Sequence, residues 1–155
     1  MSKPTGRISL PVAKKVASHV LTMIGGKAMV CGSVRRGVPV VNDIDIVAIK
    51  TPELIARLKR EGFTIKSTVA SARVGNIPVS VYYATPEDWG AMVLHFTGSK
   101  AMNVMMRANA RRKGMILNQY GLFKGKQRVA SRTENQIFDA LNMRHVLPIE
   151  RSKSF

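Results

Sequence analysis

Asp43 and Asp45 stand two residues apart in the stretch Val41 to Ile49, where apolar and polar residues alternate as in a half-buried strand. Both carboxylates then project from one face, roughly 7 Å apart at the backbone. Two like charges that close repel unless a cation lies between them. Oxygen-only ligands with no His or Cys nearby favour Mg²⁺ over Zn²⁺; the bland alternative is the solvated acidic end of a strand. Upstream, Gly32-Ser33 followed by Arg35-Arg36 offers a close backbone approach, a hydroxyl and guanidinium groups that could hold a triphosphate. A phosphate cradle beside a metal site is what phosphoryl-type transfer needs, because catalysis there is mostly positioning and charge neutralisation. Two metals could serve the attacking and leaving oxygens.

The elements that must position these groups follow from pattern. Val12, Val16, Val20, Leu21 and Ile24 recur at helical spacing over 11–24, ended by Gly25-Gly26. Ala28 to Cys31 reads as a short strand, broken by Gly32-Ser33 ahead of a basic turn, Val34 to Gly37. In the strand Val41 to Ile49, Ile44, Ile46 and Ala48 share one face. Thr51-Pro52-Glu53 starts a helix closed by Gly62. Phe63–Lys66, Thr68–Val74 and Ile77–Tyr83 are further strands, the last two joined as a hairpin by Gly75-Asn76. A third helix runs from Thr85-Pro86-Glu87 towards Phe96, and a fourth follows Thr97-Gly98-Ser99, from Lys100 to Lys113. Extended pieces at Met115–Leu117 and Gly121–Phe123, a Lys/Gly-rich loop and a helix introduced by Thr133-Glu134 complete the chain. Helices and strands mix without strict alternation, so the class is α+β, with a sheet-bearing domain at 1–96 and a basic, mostly helical lobe at 97–155.

The chain has 155 residues, of which 45% are hydrophobic, and 25 Lys+Arg against 9 Asp+Glu give a net charge of +16. That suffices for one packed domain or two small lobes and excludes wholesale disorder. A single cysteine, Cys31, excludes an internal disulfide framework and reads as a small core residue. Without an apolar run near the ~20 residues that span a bilayer, and with Met1-Ser2-Lys3-Pro4 at the start, a soluble intracellular protein with no membrane partner and no signal peptide is expected. Between Asp88 and Glu134 there is no acidic residue, while Lys100, Arg107, Arg111, Arg112, Lys113, Lys124, Lys126, Arg128 and Arg132 all occur. Such a field suits a polyanion, above all nucleic acid. Asn103, Arg107 and Arg111 recur every four residues with Lys100 beside them, so one face of that helix is expected to meet phosphates while Ala101, Val104, Met105 and Ala108 pack; the Met-rich stripe Met102, Met105 and Met106 reads as core. His19 and His145 read as lone histidines on helical segments, and Trp89 as the anchor of the third helix.

Val30-Cys31-Gly32-Ser33-Val34-Arg35-Arg36-Gly37 followed by Asn42-Asp43-Ile44-Asp45-Ile46-Val47 closely resembles the nucleotidyltransferase signature of the X-family (DNA polymerase beta-like) DNA polymerases. The resemblance continues through Leu94-His95-Phe96-Thr97-Gly98-Ser99, Asn103 with Arg107, Leu117 to Phe123, and Thr133-Glu134 with Ile137-Phe138-Asp139, in family order from about residue 8 to 151. It implies a nucleotidyltransferase palm followed by a small nucleotide- and DNA-binding lobe, the minimal form of small viral members, without the amino-terminal lyase and helix-hairpin-helix modules. The implied activity is transfer of a nucleoside monophosphate from a dNTP to a primer 3′-OH on gapped or primer-template DNA, by a monomer, with two Mg²⁺ ions or Mn²⁺ in their place.

By resemblance, Gly32 and Ser33 bind the β- and γ-phosphates with Arg36 assisting, and Asp43 and Asp45 hold the metals. His95 and Phe96 take the sugar-selecting position beside Gly98, and Asn103 reaches the nascent base. Lys100, Arg107, Arg111, Tyr120 and Lys124 are expected on DNA. The chain departs from the family at one point: the position of the third catalytic aspartate, in Ile77 to Tyr83, holds Ser80. A neutral hydroxyl neither completes a metal's coordination nor helps deprotonate the primer 3′-OH. A catalytically silent DNA- and nucleotide-binding protein is therefore the alternative, and a nucleotidyltransferase acting on a small molecule or an RNA end would use the same Gly-Ser and Asp-x-Asp parts.

Overall fold

The structure, a computed structural model, describes residues 7–152; Met1 to Pro4, with the reading made of them, lie outside the described residues. It divides into two compact units, the first ending at Tyr83 and the second beginning at Ala84. The boundary therefore falls ahead of the expected 96/97. The third helix belongs to the second unit because its Ala91 and Leu94 are buried with Met102, Met106 and Phe138.

In the first unit, β1 (Ile8–Ser9) leads into α1 (Leu10–Ile24), followed by β2 (Ala28–Val30), the single turn α2 (Gly32–Arg35), β3 (Val40–Val41), β4 (Ile44–Ile49), α3 (Pro52–Arg60), β5 (Thr64–Ile65), β6 (Val69–Val74) and β7 (Ile77–Ala84). Five strands form one mixed sheet in the order β2-β4-β7-β6-β5, and β1 pairs with β3. Helix α1 ends where Gly25 adopts φ 71° and donates its N–H to the Leu21 carbonyl; Arg57 Nη1 takes the Ile24 carbonyl at 2.6 Å. The buried stripe of α1 is Ala13, Ala17, Val20 and Ile24, whereas Val12, expected inside, is exposed. Small residues let the helix lie close to the sheet. Thr51 caps α3 by accepting from the Leu54 N–H at 3.0 Å.

The hairpin β6–β7 turns on Gly75 and Asn76 at φ 57° and 65°, the doubly left-handed pair that suits a two-residue hairpin turn. Ile44, Ile46 and Ala48 are buried as their alternation requires, and so is Val47 on the other face. The strand expected over 41–49 is interrupted: Asn42 and Asp43 lie between β3 and β4, which leaves Asp43 at the mouth of the strand rather than within it.

The second unit contains α4 (Trp89–Thr97), α5 (Lys100–Arg112), β8 (Ile116–Asn118), β9 (Gly121–Lys124), β10 (Gln127–Ala130), α6 (Glu134–Ala140) and a 3-10 turn at Pro148–Glu150. Its strands form a three-stranded antiparallel sheet in the order β10-β9-β8. Strand β10 falls where a Lys/Gly-rich loop was expected, since polar Gln127 and Arg128 hide a strand in which only Ala130 is buried. The buried stripe of α5 is Met102, Met106 and Ala110, while Ala101 is exposed and Val104 is 66% exposed. The Met-rich stripe is core as expected, with Met102 and Met106 buried and Met105 packed against them, whereas Ala101 and Val104, also expected to pack, face outward. Gly90 admits no side chain, a Cβ there falling against the backbone of Thr133, the N-cap of α6. Arg151 is buried, bonded through Nη1 to Glu134 Oε2 at 2.5 Å and through Nε and Nη2 to the Val146 carbonyl. His145 is not a lone helical residue: it follows α6 in an irregular segment and pairs with Asp139 at 2.7 Å. Among the described residues no helix is long and apolar enough to cross a membrane.

Candidate active site

In the first unit the site is built on the edge where β2 meets β4, paired antiparallel with Val30 opposite Ile46. Beyond β2 the Cys31 N–H donates to the Asp45 carbonyl at 2.7 Å, pinning the following turn against the strand that carries the acidic pair. Gly32 then takes φ 59°, and a Cβ built on it would sit 2.8 Å from Asp45 Oδ2. Only glycine meets both demands, the left-handed backbone and the missing side chain. The chain makes one helical turn where a simple turn was expected, held by the Arg36 N–H on the Gly32 carbonyl at 3.1 Å and the Val38 N–H on the Ser33 carbonyl at 3.0 Å. Cys31 is buried, as a core residue should be.

Asp43 is exposed and Asp45 half-buried. Burial, and then the neighbouring Asp43 charge, push the Asp45 carboxyl up to about 6, while Arg36 pulls the other way. Burial lowers the Arg36 guanidinium, and Asp45 opposes that. The carboxylate is thus in a position where its own charge is costly, as at many sites that bind cations or do chemistry.

Ser80 lies in β7, the neighbour of β4 in the sheet, opposite Ser71 of β6. Its hydroxyl hydrogen-bonds the Tyr82 side chain, and the Tyr82 phenol is raised first by burial and then by the negative field of Asp45 and, more weakly, Asp43. Ser80 and Tyr82, two apart on a strand, therefore share the face turned towards the acidic pair. Tyr82 was missed in the sequence reading, although the alternation of β7 carried the signal. Among the described residues no group of three or more His, Cys, Asp or Glu could hold a metal. Gly32, Arg36, Asp43, Asp45 and Ser80 are thus gathered in one neighbourhood, with Ser33 on the same turn.

In the second unit, His95 and Phe96 lie in the last turn of α4, ring to ring in a T-shaped contact at 4.6 Å. Two residues of α5 reach back to His95: Asn103 Nδ2 donates to its carbonyl at 2.9 Å and Arg107 Nη2 lies 2.9 Å from Nδ1. Burial lowers the His95 pKa, and the Arg107 cation lowers it further. With Arg107 donating, the imidazole is neutral and carries its proton on Nε2. These groups, with Asn118 and apolar Ala91, Leu94 and Leu117, line a recess with room for about one water. Gly98, at φ 72°, links the two helices, and Ser99 caps α5 by accepting from the Met102 N–H at 3.2 Å. Lys100, Arg111 and Lys124 are exposed. Tyr120 is exposed in the turn between β8 and β9, its N–H held by Asn118 Oδ1 at 2.8 Å.

Residues 92–152 match the family described as DNA polymerase beta thumb. Over 149 residues, 86% of both chains, this chain is 25% identical to the repair DNA polymerase X of an African swine fever virus isolate from a South African tick. It is 32% identical over 129 residues to the DNA polymerase/3′-5′ exonuclease PolX of Bacillus subtilis, covering 74% of this chain and 22% of that one. With DNA polymerase IV of Saccharomyces cerevisiae it shares 38% identity over 66 residues, 43% of this chain and 11% of the yeast protein. The thumb match and these relatives make the chain similar to the X-family repair DNA polymerases, in keeping with a first unit that bears the Gly-Ser turn and the Asp-x-Asp pair.

Proposed function

We propose that this chain is a repair DNA polymerase that adds a nucleoside monophosphate from a dNTP to a primer 3′-OH on short-gapped DNA, with Ser80 slowing the transfer step rather than the binding steps. The observation that carries this reading is the Gly32 backbone lying against Asp45 beside Asp43. That arrangement sets the Gly32-Ser33 turn, whose backbone N–H groups and hydroxyl suit triphosphate oxygens, next to two carboxylates with the Arg36 guanidinium acting on Asp45.

Asp43 and Asp45 fit a divalent cation by their oxygen-only donors and by the cost of the Asp45 charge, which a cation would relieve. Bound Mg²⁺, or Mn²⁺ in its place, supplies neutralisation of the triphosphate charge. Asp43 and Asp45 would hold such an ion, and Ser80 offers no third carboxylate for a second one. Gly32, Ser33 and Arg36 bind the phosphates. His95 and Phe96 face the sugar, with Gly98 shaping the turn beside them, and Asn103 reaches the base. Lys100, Arg107, Arg111, Tyr120 and Lys124 hold DNA, and the chain works as a monomer. The Ser80 hydroxyl, engaged with Tyr82, takes no proton from the primer hydroxyl at neutral pH.

That same Ser80–Tyr82 hydrogen bond favours a second reading, a silent DNA- and nucleotide-binding protein of this fold. Single-nucleotide extension on one-nucleotide-gapped DNA, with Mg²⁺ and separately Mn²⁺, separates the two. Ser80→Asp is expected to raise extension by roughly 10³-fold, and Asp43→Ala in that background to abolish it. No extension from any variant, with nucleotide-stimulated DNA binding intact, would establish the silent protein instead.

A further inference from the structure

The outer face of the sheet β8–β9–β10 carries a row that none of the proposed roles uses. Ile116 pairs with Phe123, and Phe123 with Arg128, so these three side chains stand side by side on one face. The opposite face, with Leu117, Leu122 and Ala130, is buried. An irregularity between Arg128 and Ala130 makes this division possible: the extra residue Val129 turns Ala130 inward while Arg128 stays outward. Ile116 is 64% exposed, Phe123 is half-buried, and Arg128 Cζ lies 5.4 Å from the Phe123 ring centroid. Tyr120 is exposed at one end of strand β9, and Lys124 and Lys126 are exposed at the other.

An aliphatic side chain, an aromatic ring and a guanidinium plane in one row, flanked by cations and set in a stretch without acids, match the chemistry of a nucleobase attached to a phosphate chain. Bases within a duplex have both faces covered by their neighbours, whereas an unpaired base has a π-face to offer. An acidic peptide would engage the lysines and leave the row uncovered. We propose that this sheet face stacks an unpaired base of single-stranded DNA, with Phe123 and Arg128 as the platform, Ile116 as its apolar edge, and Lys124 and Lys126 on the adjoining phosphates; the proposal rests on the reading of the chain as a DNA-binding polymerase.

The test is fluorescence anisotropy of the full chain with two gapped DNAs of equal phosphate number, one fully duplex outside its gap and one bearing a single-stranded template overhang. The overhang is expected to bind about tenfold tighter, the worth of one stacked base. Arg128→Gln and, separately, Phe123→Leu should abolish that advantage while leaving affinity for the other DNA within about twofold for Phe123→Leu. Arg128→Gln, on an exposed side chain, keeps the test valid if Phe123→Leu fails to fold. Equal affinity of the native chain for the two DNAs, or an overhang advantage that survives both variants, would overturn the proposal. A concentration-dependent dimer in DNA-free sedimentation that Ile116→Ser dissolves would also overturn it, assigning the face to a second copy. Failure of the chain to bind either DNA would instead sink the polymerase reading beneath it.

Discussion

Gly32 and Asp45 touch through the absence of a side chain: a Cβ on the glycine would lie 2.8 Å from the aspartate Oδ2, at a backbone φ of 59° that L side chains rarely adopt. Gly32→Ala therefore meets strain and a collision at once. It is expected to cost about 1–2 kcal/mol of stability and to weaken dNTP binding at least about tenfold by displacing the carboxylate. Thermal unfolding and nucleotide titration with Mn²⁺ check the two effects separately. Unchanged nucleotide affinity would show that the turn is only structural.

Asp45 exchanges metal-free stability for its charge. Its carboxyl titrates near 6 in the folded protein against an ordinary value near 3.9, so the folded state holds its proton more tightly than the unfolded chain. The resulting penalty is fully present above about pH 6, shrinks as pH falls, and is gone below about pH 4. Asp45→Asn should stabilise the cation-free protein by about 1–3 kcal/mol at pH 7 and by nothing at pH 4. Denaturant unfolding at the two pH values decides this, and a gain independent of pH would refute it.

The same carboxyl makes cation binding depend on pH. Because a protonated Asp45 offers no anionic oxygen, Mn²⁺ affinity should hold above pH 6 and decline by about tenfold per pH unit below it, released protons accompanying binding. Calorimetry in two buffers of different ionisation enthalpy measures both. Affinity that stays flat to pH 5 would remove Asp45 from the ligand set.

Arg107 is expected to hold His95 neutral. Arg107→Gln should raise the His95 pKa towards 6.5 without reaching it, since burial is the larger cause of the depression and remains. Titration of the imidazole by NMR reads the shift directly. A His95 pKa unmoved by the substitution would mean that the 2.9 Å contact carries no charge coupling.

Arg151 binds the end of the second unit together. It bonds Glu134 and the Val146 carbonyl and lies over the Phe138 ring. Arg151→Ala would leave the largely buried Glu134 carboxylate without its cation and should cost about 3–5 kcal/mol. Arg151→Ala combined with Glu134→Gln should recover part of that loss, which chemical denaturation can measure; no recovery would place the loss in packing alone.

Much of this was written locally. The Ile44-to-Ala48 alternation, the Gly75-Asn76 hairpin, the helix starts at Thr51 and Thr133, and the long acid-free stretch all depend on neighbours in sequence, and their physics is that of propensity, pleat and charge. The mixed helix and strand class follows from the same signals, as do the order of motifs and the family resemblance. Local pattern went astray where it weighed side-chain type above shape. On α1 the small Ala13 and Ala17 are buried where Val12 was expected, and on α5 Val104 stays exposed although the Met-rich stripe fills the core as expected.

What the tertiary structure alone decided are properties of pairs distant in sequence. The raised pKa of Asp45 comes from what buries it, the Ser80–Tyr82 face matters because β7 lies beside β4, and His95 is held by Arg107 from the next helix. Arg151 is hidden by Glu134 and Val146, and α4 joins the second unit through contacts with residues after 100. Burial, register between strands and electrostatic coupling are set by through-space distance, which spacing along a chain does not encode; a residue such as Tyr82 gains its meaning only once the fold has chosen its neighbours.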